Sequence, residues 1–324
     1  MRQLILFSQA PADIVYILSL YEQKKEHYKV KIIVVNVMNN FKFFKGLKLN
    51  AEIEYVPVIA KKNPLKLFIF FIRLRILYIK LFNKIDRSEV YFFSNTADYA
   101  TAFFIEKLSF NHNVYFIDIH KIKGLEVYGF INSLSKITFQ FLLGIRVKFF
   151  IFYSGIVGYQ YLFDPDRVLE KNLNPNDNVL KQYQYRINSQ GNKKKLLLFE
   201  GNGSLDSFYI DYEKTLRASI EKLSKKYEIY IKPHPRLGYS DFLADYDVVI
   251  VESHIPAELI FLNNFDVILG IVTTAIATAK HHNKYSLINI FEFNDKNVKL
   301  KFKKHMDEIG GGTLTHISDI EKIC

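Results

Sequence analysis

One histidine lies between two prolines directly after a predicted strand, in the segment Lys232-Pro233-His234-Pro235-Arg236. Each proline fixes its own φ angle and biases the residue before it toward an extended backbone. The imidazole therefore lies on a stiff loop, and it can exchange a proton near neutral pH. Lys232 and Arg236 add positive charge on both sides, which suits phosphate binding. This pattern indicates general acid chemistry on a phosphate-bearing substrate.

A pair of threonines follows another predicted strand. Residues 267–271 are apolar, and Thr273 and Thr274 then begin a predicted helix. Hydroxyl and backbone N–H groups at the start of a helix can bind phosphate or carboxylate. Plain capping of the helix by Thr273 would give the same pattern. We favour the anion site because this strand end is expected beside the histidine loop.

An acidic loop with two glycines follows the first strand of the second half of the chain. It contains Glu200, Gly201, Asn202, Gly203 and Asp206. Glycines permit close approach of the backbone to a ligand, and either carboxylate could act as a base. The loop is neither a GxGxxG fingerprint nor a Walker loop, so it predicts no generic nucleotide motif.

A glutamate faces out of an otherwise apolar turn in the predicted helix 255–262. Pro256 occupies the first turn, and Glu258 follows it. The Glu258 carboxylate could accept hydrogen bonds from the two hydroxyl groups of a ribose. It could equally be a negative charge that favours the helix dipole, and both interpretations stay open on these residues alone.

Short apolar runs alternate with helix-length segments along the chain. This alternation predicts an α/β fold of parallel βαβ units with helices on both faces of each sheet. The predicted strands are 3–8, 28–36, 53–59, 89–94, 113–119, 195–199, 228–232, 247–251, 267–271 and 286–290. Two such halves predict a ligand in a central cleft, beyond the carboxyl ends of the strands.

Residues 166–194 are polar and rich in Asn, Gln and Lys, which is typical of a linker. We therefore predict an N-terminal α/β domain over 1–165 that binds the acceptor and a C-terminal α/β domain over 195–324 that binds the donor. A prior of about 150 residues per domain agrees with this division.

Basic residues exceed acidic residues in this chain of 324, with 44 Lys plus Arg against 33 Asp plus Glu and a net charge of +11. Such a charge suggests an anionic partner. No nucleic-acid-binding pattern is present, so nucleic acid is not expected. The single cysteine, Cys324, excludes an intramolecular disulfide and a cysteine-based metal site. The histidines show no ligand spacing, and we predict no metal and no cofactor.

Residues 62–84 predict a helix that is apolar around most of its circumference. At about 100° per residue, its basic residues other than Arg75 fall within roughly 40° of one another; they are Lys62, Lys66, Arg73, Lys80 and Lys84. These charges interrupt the apolar run and argue against a spanning helix. The pattern fits either a core helix with a solvated ridge or a surface that rests on anionic lipid. We predict a cytoplasmic protein, soluble or peripheral on the inner membrane face, and leave a homodimer open.

In combination, these segments resemble the bacterial sialyltransferases, in particular the lipooligosaccharide sialyltransferases and more distantly the polysialyltransferases. The order of the acidic loop, KPHPR, IPAEL and GIVTTA over residues 196–279 carries the resemblance. It implies a GT-B-like fold with two Rossmann-like domains. It also implies an inverting, metal-independent transfer of sialic acid from CMP-sialic acid to a hydroxyl of a lipooligosaccharide or capsule.

The resemblance also implies roles for the matching residues. His234 matches the histidine that protonates or stabilises the departing CMP phosphate, and Thr273 and Thr274 match a phosphate-binding Ser/Thr pair. Glu258 matches a glutamate on the ribose, and Lys232 lies against the nucleotide. The full set expected at the nucleotide sugar is Lys232, Pro235, Arg236, Glu258, Thr273, Thr274, Gly201, Asn202 and Gly203.

The catalytic base is not defined by the resemblance, because the family's D/E-D/E-G motif is absent here. Asp206 is the first choice, since SLD followed by acidic residues resembles the family's SEDG…EEY arrangement. Glu200 is the competitor, and Asp118 at the end of a first-domain strand is the third candidate.

Other functions share parts of this pattern. A transferase of another CMP-activated acid sugar, such as Kdo or a legionaminic-type sugar, would carry the same motifs. A CDP-glycerol glycerophosphotransferase has an HP loop and a serine pair, but its acidic-Tyr element is absent here. A non-enzymatic basic membrane-associated protein would leave KPHPR unexplained.

Overall fold

The computed structural model describes residues 2–57, 64–82, 87–93, 99–117, 119, 149–152, 158–161, 167–187, 192–201, 203, 208–235 and 237–323. The chain divides into two compact units, Met1–Leu180 and Lys181–Cys324. Both units are built on a parallel sheet, so the predicted α/β class is confirmed. The cleft expected between the two halves stays a prediction.

The first unit contains a six-stranded parallel sheet. The described strands of the whole unit are β1 (Arg2–Ser8), β2 (Tyr28–Val35), β3 (Ala51–Val56), β4 (Glu89–Phe92), β5 (Asn113–Phe116), β6 (Phe149–Phe152), β7 (Gly158–Tyr161) and β8 (Val168–Glu170). The sheet order is β3-β2-β1-β4-β5-β8, while β6 and β7 form a separate antiparallel pair. The continuous buried runs of β1 and β2 are typical of strands covered on both faces.

The first four described helices of the first unit lie between its strands, and the fifth follows β8. They are α1 (Asp13–Lys24), α2 (Met38–Gly46), α3 (Pro64–Phe82), α4 (Tyr99–Leu108) and α5 (Asp177–Leu180). One side of α3 packs in the core, where Phe70 and Leu74 join residues of α4 and the sheet. Among the described residues, no helix combines the length and apolarity needed to cross a bilayer.

The second unit repeats this architecture. Its strands are β9 (Lys194–Glu200), β10 (Tyr209–Ile210), β11 (Tyr227–Pro233), β12 (Val248–Ile250), β13 (Val267–Gly270), β14 (Lys284–Ser286), β15 (Glu292–Phe293) and β16 (Thr315–His316), and its helices are α6 (Tyr212–Leu223), α7 (Thr274–Thr278) and α8 (Lys296–Gly310). The parallel sheet has the order β12-β11-β9-β13-β14-β16. When the six strands of each sheet are numbered by their order in the sequence, both sheets have the doubly wound strand order 3-2-1-4-5-6.

Two predicted elements of the second unit are wrong. The predicted helix 255–262 is a single 3₁₀ turn, Ala257–Leu259, because Pro256 and Ile260 on either side of it have extended backbones. Ile260 instead forms an isolated bridge with Tyr185. The strand predicted at 286–290 lies earlier, at Lys284–Ser286, where it can pair with both β13 and β16.

The segment 166–194 contains regular structure in its described part. β8 pairs with β5 in the first sheet, and α5 and a 3₁₀ turn at Lys181–Tyr183 follow it. Most of the described side chains over 169–179 are exposed. The polar composition of this segment is therefore explained by its position at the surface, and the segment is not only a linker between the two units.

Candidate functional site

Three neighbouring strands of the second sheet end side by side. The register pairs Lys232 of β11 with Phe199 of β9, and Phe199 with Gly270 of β13. The histidine loop, the acidic loop and the threonine pair each follow one of these strands. All three segments therefore begin at one sheet edge, around the point between β9 and β13 where the strand order reverses. Doubly wound sheets bind ligands at this place.

The histidine loop is a tight turn closed by backbone hydrogen bonds. The His234 N–H donates to the Gly238 carbonyl (2.8 Å), and the Gly238 N–H donates to the His234 carbonyl (2.9 Å). Gly238 has a φ of 76°, a conformation that favours glycine. The Leu237 N–H donates to His234 Nδ1 at 3.1 Å. Since Nδ1 accepts, the neutral imidazole carries its proton on Nε2.

Lys232 is a buried lysine at the end of β11, with 3% of its surface exposed. Its Nζ donates to the carbonyl groups of Pro233 (3.0 Å) and Ser253 (3.3 Å). Burial lowers the pKa of Lys232 to about 8, and the negative charge of Glu258 opposes that shift. Lys232 therefore joins the ends of β11 and β12 and keeps a positive charge below about pH 8.

Glu258 lies in the 3₁₀ turn Ala257–Leu259. Its side chain reaches solvent, yet the surrounding protein is dense enough that burial raises the carboxyl pKa, while Lys232 lowers it. Lys232 and Glu258 are thus close enough for each charge to shift the pKa of the other. Because this turn is not an extended helix, the dipole interpretation of Glu258 loses its basis.

The threonine pair lies where β13 turns into α7. Thr273 Oγ1 accepts a hydrogen bond from the Ala275 N–H at 3.3 Å, so Thr273 caps the helix. Thr274 is exposed. Ser286 of the neighbouring strand β14 donates from Oγ to the Ile271 carbonyl at 3.0 Å. This hydrogen bond holds the turn that follows β13 against β14. Phosphate binding by the threonines stays a prediction.

Glu200 is a buried carboxylate that accepts four hydrogen bonds, with 2% of its surface exposed. Its Oε1 accepts from Tyr212 Oη (2.6 Å), Ser240 Oγ (3.0 Å) and the Gly203 N–H (3.3 Å). Its Oε2 accepts from the Ser240 N–H (3.0 Å). Burial and the neighbouring Glu200 charge raise the pKa of Tyr212 well above its usual value. Glu200 therefore ties the acidic loop to α6 and to the chain after the histidine loop.

Glycine is required by packing at two positions of the site. A Cβ at Gly203 would lie 2.3 Å from the Tyr212 ring, and one at Gly270 would lie 2.9 Å from the Thr273 side chain. A Cβ at Gly201 would meet no atom within 4 Å. Gly203 and Gly270 thus keep their strand ends close to the groups that follow.

Some of the predicted site lies outside the described residues, namely Asp118, Asn202, Asp206 and Arg236. Pro235 is described and half-buried. Sequence reasoning missed Tyr212 and Ser240, which hold Glu200 from 12 and 40 residues away; the sequence carries no signal for such contacts. Within the described part of the chain, no group of three or more His, Cys, Asp or Glu side chains could hold a metal ion. Metal independence stays a prediction.

Solved structures share this fold, although no family model and no curated protein sequence matches the chain. A 2,6-sialyltransferase from a Photobacterium species of the Vibrionaceae, solved with CMP and lactose, aligns with a TM-score of 0.53 and 12% identity over 98% of this chain and 79% of that chain. A UDP-N-acetylglucosamine 2-epimerase aligns with a TM-score of 0.53 and 10% identity over 100% and 86%. The predicted GT-B-like fold is therefore confirmed, and these likenesses show the fold alone.

Burial of Lys232 predicts a pH dependence of stability. Its pKa is about 8 in the folded protein, against an ordinary value of 10.5. Between these values the unfolded chain binds more protons, so the free energy of unfolding rises with pH. The variant Lys232→Met lacks this rise, and we expect the wild type to gain about 3 kcal/mol relative to it across this interval. Denaturant unfolding below and above the interval measures the gain.

The matched control is Lys225→Met, which replaces an exposed lysine of the same unit. Because this side chain is exposed, the substitution should leave the free energy of unfolding within about 0.5 kcal/mol of the wild type. A stability difference between Lys232→Met and the wild type that stays constant with pH would contradict a buried Lys232 with a lowered pKa.

Proposed function

We propose that this protein is an inverting, metal-independent glycosyltransferase that moves sialic acid from CMP-sialic acid to a hydroxyl of a bacterial surface glycan. The observation that carries this proposal is the pairing of β11 and β13 with opposite sides of β9. This pairing places the beginnings of the His234 and Thr273 loops at neighbouring strand ends. The Photobacterium sialyltransferase, which shares the fold, was solved with CMP as donor product. A cytoplasmic location and a glycan or glycolipid acceptor are parts of the same proposal.

The leaving phosphate is the group that this site is best equipped to stabilise. His234 presents an Nε2–H that can donate to a phosphate oxygen, because Nδ1 is occupied by the Leu237 N–H. Lys232 supplies positive charge at the same sheet edge. The exposed Thr274 hydroxyl adds a further donor at the neighbouring strand end. Donation from these groups lowers the energy of the departing CMP.

The nucleoside part of the donor has a partner in Glu258. Its carboxylate reaches solvent and lies near Lys232. An exposed carboxylate at this position can accept hydrogen bonds from the two ribose hydroxyl groups. We therefore keep Glu258 as the ribose-binding residue.

The base that deprotonates the acceptor hydroxyl is assigned to Asp206 rather than Glu200. Both Glu200 oxygens accept hydrogen bonds from the protein, and the side chain is buried. A carboxylate in that position serves to hold neighbouring segments, whereas a base must reach the substrate proton. Glu200 is therefore proposed as a positioning residue, and Asp118 stays the second candidate for the base.

The proposed activity is tested by CMP release from CMP-N-acetylneuraminic acid, with CMP-Kdo and CDP-glycerol assayed in parallel. We expect release from the first donor and a loss of about 10²-fold or more in Asp206→Asn, since a general base contributes this much. Glu252→Gln, which changes an exposed carboxylate after β12, is the matched control and should keep its activity.

The other outcomes separate the alternative functions. Turnover of CMP-Kdo alone would identify a transferase of another acid sugar, and turnover of CDP-glycerol alone would identify a phosphotransferase. If calorimetry detects no CMP binding and no donor is consumed, the enzymatic proposal is wrong.

A further inference from the structure

Four isoleucines of α3 form an exposed row, here named the isoleucine face: Ile69, Ile72, Ile76 and Ile79. Their exposed fractions are 40%, 46%, 59% and 56%. The spacing of three, four and three residues places them on one side of the helix. The opposite side is already packed in the core through Phe70, Leu74 and Leu81. The helix therefore has two apolar sides, and the outer one remains in water.

Cations border the isoleucine face on both sides. At about 100° per residue, Arg73 and Lys80 lie along one border and Arg75 lies along the other. All three side chains are exposed. The sequence Pro64–Phe82 contains no acidic residue. The exposed apolar row therefore has two cations along one border and one along the other.

We infer that the isoleucine face rests on the surface of a bilayer that contains anionic lipid. Isoleucines at this spacing can enter the boundary between headgroups and acyl chains while the helix lies parallel to the membrane. Arginine and lysine side chains on the borders extend to the phosphate groups and keep their charges in water. The excess of positive charge over the whole chain strengthens this attraction. The inference is independent of the proposed enzymatic activity.

A second copy of the chain fits this face less well than lipid does. A symmetric dimer places the same patch against itself. The arginines and lysine of one copy would then face those of the other, and like charges across an interface oppose association. Anionic lipid instead complements both the apolar row and its charged borders.

The test is binding of the full-length protein to vesicles of phosphatidylcholine with or without phosphatidylglycerol. The wild type should bind the anionic vesicles and release them at high salt, because salt screens the charges. In Ile72→Gln/Ile76→Gln the affinity should fall about tenfold or more, because two half-exposed isoleucines no longer enter the lipid. Glutamine is a good helix former, so the variant should fold as the wild type does.

The matched control is Leu300→Gln, because Leu300 is also exposed on a lysine-rich helix, α8, but belongs to the second unit and not to the isoleucine face. This control should bind as the wild type does. The inference is overturned if the wild type ignores anionic vesicles or if the double variant binds them unchanged. It is also overturned if Leu300→Gln weakens binding equally. A change of oligomeric state in light scattering with unchanged vesicle binding would assign the face to protein contacts and reject lipid.

Discussion

Glu200→Gln should lower the free energy of unfolding by about 2–4 kcal/mol, because hydrogen bonds to a buried charged group are among the strongest in a protein. The glutamine oxygen can still accept from Tyr212. Its amide NH₂, however, would face the Ser240 N–H, which now donates to Oε2 at 3.0 Å. Two donors would then oppose each other in a site without room for rearrangement, since Ser240 is fully buried. Denaturant unfolding monitored by circular dichroism measures the loss.

Two further variants make this expectation specific. Tyr212→Phe removes one donor and leaves the others, so it should cost about 1–2 kcal/mol. Glu252→Gln changes an exposed carboxylate, with 65% of its side chain accessible, and should leave the stability within about 0.5 kcal/mol of the wild type. If Glu200→Gln unfolds at the same denaturant concentration as Glu252→Gln, Glu200 does not hold the three segments together.

His234→Asn should lower kcat for CMP release by about 10²–10⁴-fold, the range typical for removal of a group that transfers or donates a proton. The asparagine oxygen can take the place of Nδ1 and accept from the Leu237 N–H, so the loop keeps its hydrogen bond. No atom replaces Nε2, so under the proposed function the leaving phosphate loses a hydrogen-bond donor. Steady-state kinetics with CMP-N-acetylneuraminic acid measures the effect.

The complementary variant His234→Gln places an amide nitrogen near the position of Nε2 and should retain more activity than asparagine does. His282→Ala is the control, because His282 is an exposed histidine that precedes β14, away from the carboxyl ends of the strands. Unimpaired turnover by the asparagine variant would remove His234 from the reaction. Equal losses in the asparagine and glutamine variants would show that the imidazole does more than donate one hydrogen bond.

The central strands of both sheets could be predicted from the sequence, since their covered faces require continuous apolar runs. In β1 and β9 these runs are LILF and LLLF, and no helix period competes with them. The histidine loop could be placed at a strand end for the same reason, because the apolar residues of β11 end at Ile231 and Lys232-Pro233 follow. Prediction succeeded where a local pattern determines the element.

The remaining features depend on contacts that are distant in sequence. β8 and β16 have only three and two residues, and each exists because a neighbouring strand pairs with it. The apolar residues around Glu258 suggest a helix, whereas Ile260 forms an isolated β-bridge with Tyr185, which is 75 residues away in the sequence. The sequence suggests that Glu200 is a reactive loop carboxylate. In the fold, Tyr212 and Ser240 donate hydrogen bonds to it, and these contacts cannot be predicted from the local sequence. The donor of the proposed reaction likewise depends on individual side chains that the fold does not specify.

The anchoring of three separate segments by one carboxylate has a consequence for protein engineering. A loop taken from another protein of this fold and grafted after β9 would lack the tyrosine and serine that hold the Glu200 carboxylate. Gly203, Tyr212 and Ser240 therefore have to be transferred together with Glu200. Chimeras that exchange this loop should transfer residues 200–240 as one block, because smaller grafts would break the Glu200 anchor at one of its ends.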